Sequence, residues 1–97
     1  MGVKSFKHKG LEKLFVDGDG SKLQPKMVEK ITSILIVIDT LERVPEDLKR
    51  LRHLEPHKLK GKLSDYWAIS VSGNYRIIFK FDSDTKTVSH LDLIDYH

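Results

Sequence analysis

Apolar residues recur every three or four positions along the first half of the chain and every second position along the other, and this change of period predicts the architecture. Leu11, Leu14 and Phe15 fall at i, i+3 and i+4, one face of a first helix, with Gly18 and Gly20 behind them as a stop. Met27, Ile31, Ile34, Leu35, Ile38 and Leu41 carry the same spacing over about four turns of a second helix. Pro25 suits its first position and Pro45 marks its end. Ahead of both, Val3-Lys4-Ser5-Phe6 alternates as a short first strand. Residues 66–71 set Trp67, Ile69 and Val71 against Ala68 and Ser70, and Ser72-Gly73-Asn74 turns the chain. Residues 75–81 then set Tyr75, Ile77, Phe79 and Phe81 against Arg76 and Lys80. After a second turn at Asp82-Ser83-Asp84, a last strand spans residues 87–94. A three-strand antiparallel meander with the N-terminal strand on an edge gives an α+β fold. Two N-terminal helices pack as a hairpin on one face of a small, mainly antiparallel sheet, and the other face stays open. With no repeat, linker or low-complexity tract, residues 1–97 read as one domain.

Residues 46–62 fit neither period. They are polar, carry Lys49, Arg50, Arg52, His53, His57, Lys58, Lys60 and Lys62, and allow at most one short helical turn around Leu48 and Leu51. Composition narrows the class further. A chain of 97 residues, 39% hydrophobic and 32% charged, is that of an ordinary globular protein. Its best apolar run, Ile34-Leu35-Ile36-Val37-Ile38, is far short of the roughly 18 residues of a membrane span. The start of the chain has no apolar signal core, and there is no cysteine, which removes disulfides, thiolate nucleophiles and Cys-ligated zinc. Both features point to the cytoplasm. The net charge of +3 permits a phosphate-rich partner without requiring one.

Candidate chemistry gathers around the open face. Arg76 and Lys80 point away from the apolar stripe of their strand, and the basic loop with His57 and Lys60 borders that face. Asp95-Tyr96-His97 follows directly on the last strand, so a carboxylate, a phenol and an imidazole reach its rim. Cations to hold a phosphate, a ring to stack a base and groups to move protons are the parts that metal-free RNA cleavage needs. Taken singly, each residue has a plainer role. An isolated strand Arg is commonly a solvated or ion-paired side chain, Lys60 a surface lysine, Trp67 a core residue under the helices, and Tyr66 either core or site. The Lys26/Lys30 row is most simply a solvated helix face. His53 and His57 lie four apart, but Pro56 breaks the helix that metal binding would need and no third ligand stands out.

The order of the segments adds to this. Lys4-Ser5-Phe6, Leu59-Lys60-Gly61, Tyr66-Trp67-Ala68-Ile69-Ser70-Val71, Asn74-Tyr75-Arg76-Ile77-Ile78-Phe79 and Asp95-Tyr96-His97 appear in sequence. In this the whole chain resembles the HigB toxins (plasmid maintenance killer proteins) of the RelE/ParE superfamily. The resemblance implies a RelE-like fold whose open face forms the active site, and the toxin of a type II toxin–antitoxin pair. It implies a ribosome-dependent endoribonuclease that cuts translated mRNA in the A site of the 70S ribosome, with no metal or other cofactor. The implied catalytic residues are His57, Lys60, Arg76, Asp95, Tyr96 and His97: Lys60 and Arg76 on the phosphate, Tyr96 on the nucleotide, and His57, Asp95 or His97 moving protons. The implied partner is a HigA-like helix-turn-helix antitoxin, with operator DNA bound only through it and no membrane involved. Asp65 stands where relatives often carry Gly, Tyr75 where Trp is frequent, and Leu63-Ser64 forms a local insertion. Two other functions compete: a ParE-like poison of DNA gyrase, which lacks this catalytic set, and a silent homologue that survives as a binding module or co-repressor.

Overall fold

A computed structural model describes residues 2–95. Helix α1 spans Lys9–Asp17 and α2 spans Pro25–Asp39; a 3-10 helix, Glu46–Leu54, precedes β1 (His57–Lys58), β2 (Trp67–Ser70), β3 (Tyr75–Asp82) and β4 (Thr87–Asp95). The strands form a four-stranded antiparallel meander in the order β1-β2-β3-β4. The helices lie on one face, where Leu11, Ile31, Ile34, Leu35 and Ile38 bury against Ile69, Ile77, Phe79 and Leu91. This is the expected α+β arrangement.

Local chemistry accounts for the helix ends. The His8 ring caps α1 by accepting from Leu11 N–H at 3.2 Å, a role more often filled by Ser, Thr, Asp or Asn. Gly18 ends it at φ 71°, a left-handed position that glycine fills without a Cβ clash, and returns its N–H to Leu14 O. Pro25 sits in the first turn of α2 as expected, but that helix stops at Asp39, before Pro45. Thr40 and Leu41 bond back to Val37 O and Ile38 O, tightening the last turn so that Leu41 is buried outside the helix.

Residues 46–54 depart from the expectation of a largely irregular loop. Leu48, Leu51 and Leu54 repeat every three residues, the period at which 3-10 side chains eclipse, and all three are buried. Asp47 ties this helix to the loop after α2. Its Oδ2 accepts from Glu42 N–H and Arg43 N–H at 3.0 Å each. Those backbone hydrogen bonds, helped by the Arg43 guanidinium, hold the Asp47 carboxyl below its usual 3.8. The contribution to stability is therefore complete above the ordinary carboxylate range and lost as pH falls through the lowered folded value. Asp47→Asn should show a shallower fall in thermal midpoint than the parent as pH drops below about 4, compared by calorimetry across that range.

The N-terminal strand is only partly realised. Residues 2–8 run parallel to the outer edge of β4 with two isolated bridges, Val3 to Val88 and Phe6 to Leu91. A β-bulge breaks the ladder between them. Ile78 pairs with Asp92 but Lys80 with Ser89, which leaves Phe79 opposite both His90 and Leu91. His90 takes the left-handed region at φ 57°, and its N–H turns outward to Ser5 Oγ at 2.9 Å.

Candidate active site

Strand parity builds the second face of the sheet. Pairing places His57, Ala68, Ile78 and Asp92 in one row, with Ser70, Arg76 and Ile94 in the next row toward the β2–β3 turn. On the other side of the central row lie Leu59, Tyr66 and Lys80, since Leu59 N–H donates to Tyr66 O at 2.9 Å. Among the described residues, neither α1, α2 nor the Glu46–Leu54 helix packs on this face, yet it is not bare. Leu59, Tyr66, Ala68 and Ile78 form a small apolar cluster with Ile94 against it. The wholly open face expected from sequence is thus an apolar floor with a polar rim, and Tyr66 belongs to the floor. Trp67 packs at the edge of the main core, half-buried, with Lys58 Nζ 5.8 Å from its ring centre.

His57 is exposed at the sheet edge, and its Nδ1 lies 2.9 Å from Glu55 O. A carbonyl oxygen only accepts, so Nδ1 carries the proton and Nε2 is the ring nitrogen left for a substrate. Glu55 adopts φ 53° as it ends the 3-10 helix, the residue at which the chain leaves that helix for β1. Lys60 lies beyond β1, ahead of Gly61 at φ 71°, a backbone turn suited to glycine. His57 and Lys60 line one cavity of 340 Å³ together with Lys58, Leu59 and Leu63. The structure therefore brings together the His and Lys that the sequence spaces three apart.

Arg76 leaves β3 on the same face. Its Nη1 donates to the turn carbonyls of Ser72 at 3.0 Å and Gly73 at 3.5 Å, and to Tyr75 O at 3.2 Å. The turn thus holds the guanidinium at one end of the apolar floor. Asp95 pairs with Tyr75, so parity directs it to the side opposite Arg76 at the exposed end of β4. Tyr96 and His97 lie outside the described residues. His53 does not join His57: it lines the groove between α2 and the 3-10 helix with Lys26 and Lys30. Among the described residues, no group of three His, Cys, Asp or Glu side chains could hold a metal ion.

Two polar groups on this face escaped the sequence reading. Asp92 stands in the central row and accepts from Leu93 N–H at 2.9 Å. His90 meets the Tyr66 ring edge-on, with centroids 6.5 Å apart. Their signal was the spacing of Val88, Leu91 and Leu93, all packed in the main core at intervals of three and then two, the mark of an extra residue in a strand.

Known proteins match over this whole arrangement. A family model described as "RelE-like toxin of type II toxin-antitoxin system HigB" matches residues 4–97. The chain is 39% identical over 95 residues to Endoribonuclease HigB of Proteus vulgaris, covering 98% of this chain and 99% of that protein. Its fold is similar to the YoeB/ParE toxin from Agrobacterium tumefaciens, with a TM-score of 0.63 at 16% identity over 100% of both chains. It is also similar to a chain of the RelBE2 toxin–antitoxin complex from Mycobacterium tuberculosis, with a TM-score of 0.56 at 18% identity over 98% of this chain and 99% of that one. With the sheet, its helical layer and the His57/Lys60/Arg76 face already in place, these matches settle the family: the chain belongs to the HigB-like, RelE-fold toxins of type II toxin–antitoxin systems.

Proposed function

We propose that this chain is one toxin domain spanning residues 1–97, a metal-independent endoribonuclease that cuts mRNA in the A site of the translating 70S ribosome. The observation that carries the reading is the shared cavity of His57 and Lys60, at the edge of the face on which the β2–β3 turn holds Arg76. His57 Nε2 removes the proton of a 2′-hydroxyl, and the 2′-oxygen attacks the adjacent phosphorus. Lys60 and Arg76 stabilise the added negative charge on the non-bridging oxygens. The P–O5′ bond breaks to leave a 2′,3′-cyclic phosphate, and the 5′-oxygen takes a proton from the Asp95-Tyr96-His97 end of the chain. Tyr96 orients the nucleotide.

The geometry also gives a reason for the ribosome. His57 and Arg76 sit two strands and one two-residue step apart, about 12 Å between Cα atoms, on the face opposite α1 and α2. Such a face cannot by itself hold a flexible RNA in line for attack, so the alignment comes from the decoding site. The antitoxin is a HigA-like helix-turn-helix protein that blocks access to the ribosome and alone contacts operator DNA. The protein works in the cytoplasm. Among the described residues, no helix is long and apolar enough to cross a membrane.

The test is cleavage of mRNA programmed into 70S ribosomes, comparing the chain with a variant lacking Tyr96 and His97. Cuts within the A-site codon, lost in the truncation and missing on naked RNA, are the expected result. A folded, antitoxin-free protein that cuts nothing would refute the nuclease.

A further inference from the structure

Lys80 sits at the opposite end of the second face from Arg76, four residues along β3, about 13 Å between Cα atoms. Its Nζ lies 5.4 Å from the centre of the Tyr66 ring, and Tyr66 is 7% exposed. The ring is thus a fixed seat and the ammonium is held by its face. Among the described residues Lys80 forms no ion pair; Asp65 and Asp82 border the same 500 Å³ concavity without reaching it. Its charge is positioned but not neutralised.

The strand beside it carries a second sign of a built site. His90 holds a left-handed conformation, which costs a residue with a side chain about 1 kcal/mol or more. The return is not burial: the ring stays exposed, its Nδ1 2.9 Å from Ser89 Oγ and its edge on Tyr66. The bulge therefore aims an imidazole at the seat that holds Lys80.

We infer that Lys80, seated on Tyr66 and flanked by His90, is a second phosphate-binding position that takes a phosphodiester flanking the scissile one on the same RNA strand. This rests on the nuclease reading, with Arg76 and Lys60 on the scissile phosphate. The strand then runs along the polar rim above the buried Ala68 and Ile78, from one cation to the other. Lys80 is a positioning residue: it fixes the register of the strand and touches no reacting atom.

Binding of 2′-O-methylated RNA, a dinucleotide against a hexanucleotide, tests this by NMR titration of the parent, Lys80→Gln and Lys80→Arg. The longer probe should bind the parent roughly fivefold to tenfold more tightly. Lys80→Gln should lose that advantage and Lys80→Arg should restore it. The slope of log K against log salt for the hexanucleotide should fall by about 0.7 in Lys80→Gln, the single-strand value for one phosphate. On ribosomes the same change should raise KM while kcat holds. A length advantage indifferent to Lys80 overturns the inference. So does a ribosome-only defect, which would assign the contact to ribosomal RNA. Length-dependent binding through Lys80 in a protein that cuts nothing on ribosomes would instead sink the nuclease and leave the phosphate site standing.

Discussion

Arg76→Ala is expected to lower A-site cleavage by about a hundredfold to a thousandfold, the scale of removing one preorganised donor from a developing oxyanion. The carbonyls of Ser72, Gly73 and Tyr75 accept from its Nη1 and position the guanidinium. An anchored cation loses little entropy when a phosphate arrives, so most of its electrostatic gain appears in the transition state. The same contacts give Arg76 a structural share, since they brace the β2–β3 turn. Removing the hydrogen bonds to these carbonyls on a half-exposed turn costs about 1–3 kcal/mol, less than the stability of an ordinary domain. Catalysis and folding therefore separate. Arg76→Ala should keep its circular dichroism spectrum and most of its thermal midpoint while cleavage falls by that factor and growth inhibition is lost. Arg76→Lys should recover part of the rate, because it restores charge without the planar fork. Growth inhibition that persists in a folded Arg76→Ala would point away from RNA and toward another target.

How far the sequence could be read depends on which residues share a period. The stripe Met27, Ile31, Ile34, Leu35 and Ile38 is buried as a unit, so helix α2 was legible from spacing alone. The β3 stripe was equally clear, because Ile77 and Phe79 face the helices with little interruption. Leu48, Leu51 and Leu54 were not: a period of three lies between the strand and helix templates, and Lys49, Arg50, Arg52 and His53 surround it with charge. The bulge was hidden for a related reason. Strict alternation through β4 would put Val88 and Leu91 on opposite faces, whereas the extra residue at His90 returns both to the core. The N-terminal segment meets this bulged strand at two bridges only, and His90 and Asp92 fall outside the period-two pattern that marks a strand face.

The site divides along the same line. Arg76 was legible from strand parity and the His57/Lys60 loop from its charge, while the joint catalytic role of that His and Lys came from a resemblance; the two line a common cavity. Parity that placed Arg76 on the second face also sends Asp95 to the other side, a consequence of its pairing with Tyr75. Any part Asp95 plays is therefore exerted from the side of β4 opposite Arg76.

His57→Ala is expected to cost a hundredfold or more in kcat on ribosomes, within the usual range for losing a general base. Glu55 orients the ring. Its carbonyl accepts from Nδ1–H, so Nε2 is the nitrogen that holds the lone pair whenever the ring is neutral, and a 2′-hydroxyl can meet it there. The ring is exposed and the 340 Å³ cavity beside it is open, so truncation leaves room for a small molecule rather than a collapsed core. Free imidazole added to His57→Ala should restore a measurable part of the rate, rising with the concentration of its neutral form. Rescue of that kind tracks proton transfer; a side chain that merely shapes the loop would not respond to a soluble base. His57→Ala that cleaves at the parent rate would move the base to the Asp95-Tyr96-His97 end and leave His57 a wall of the cavity. A defect that imidazole never relieves, with KM raised and kcat intact, would make His57 a binding group and require the same reassignment.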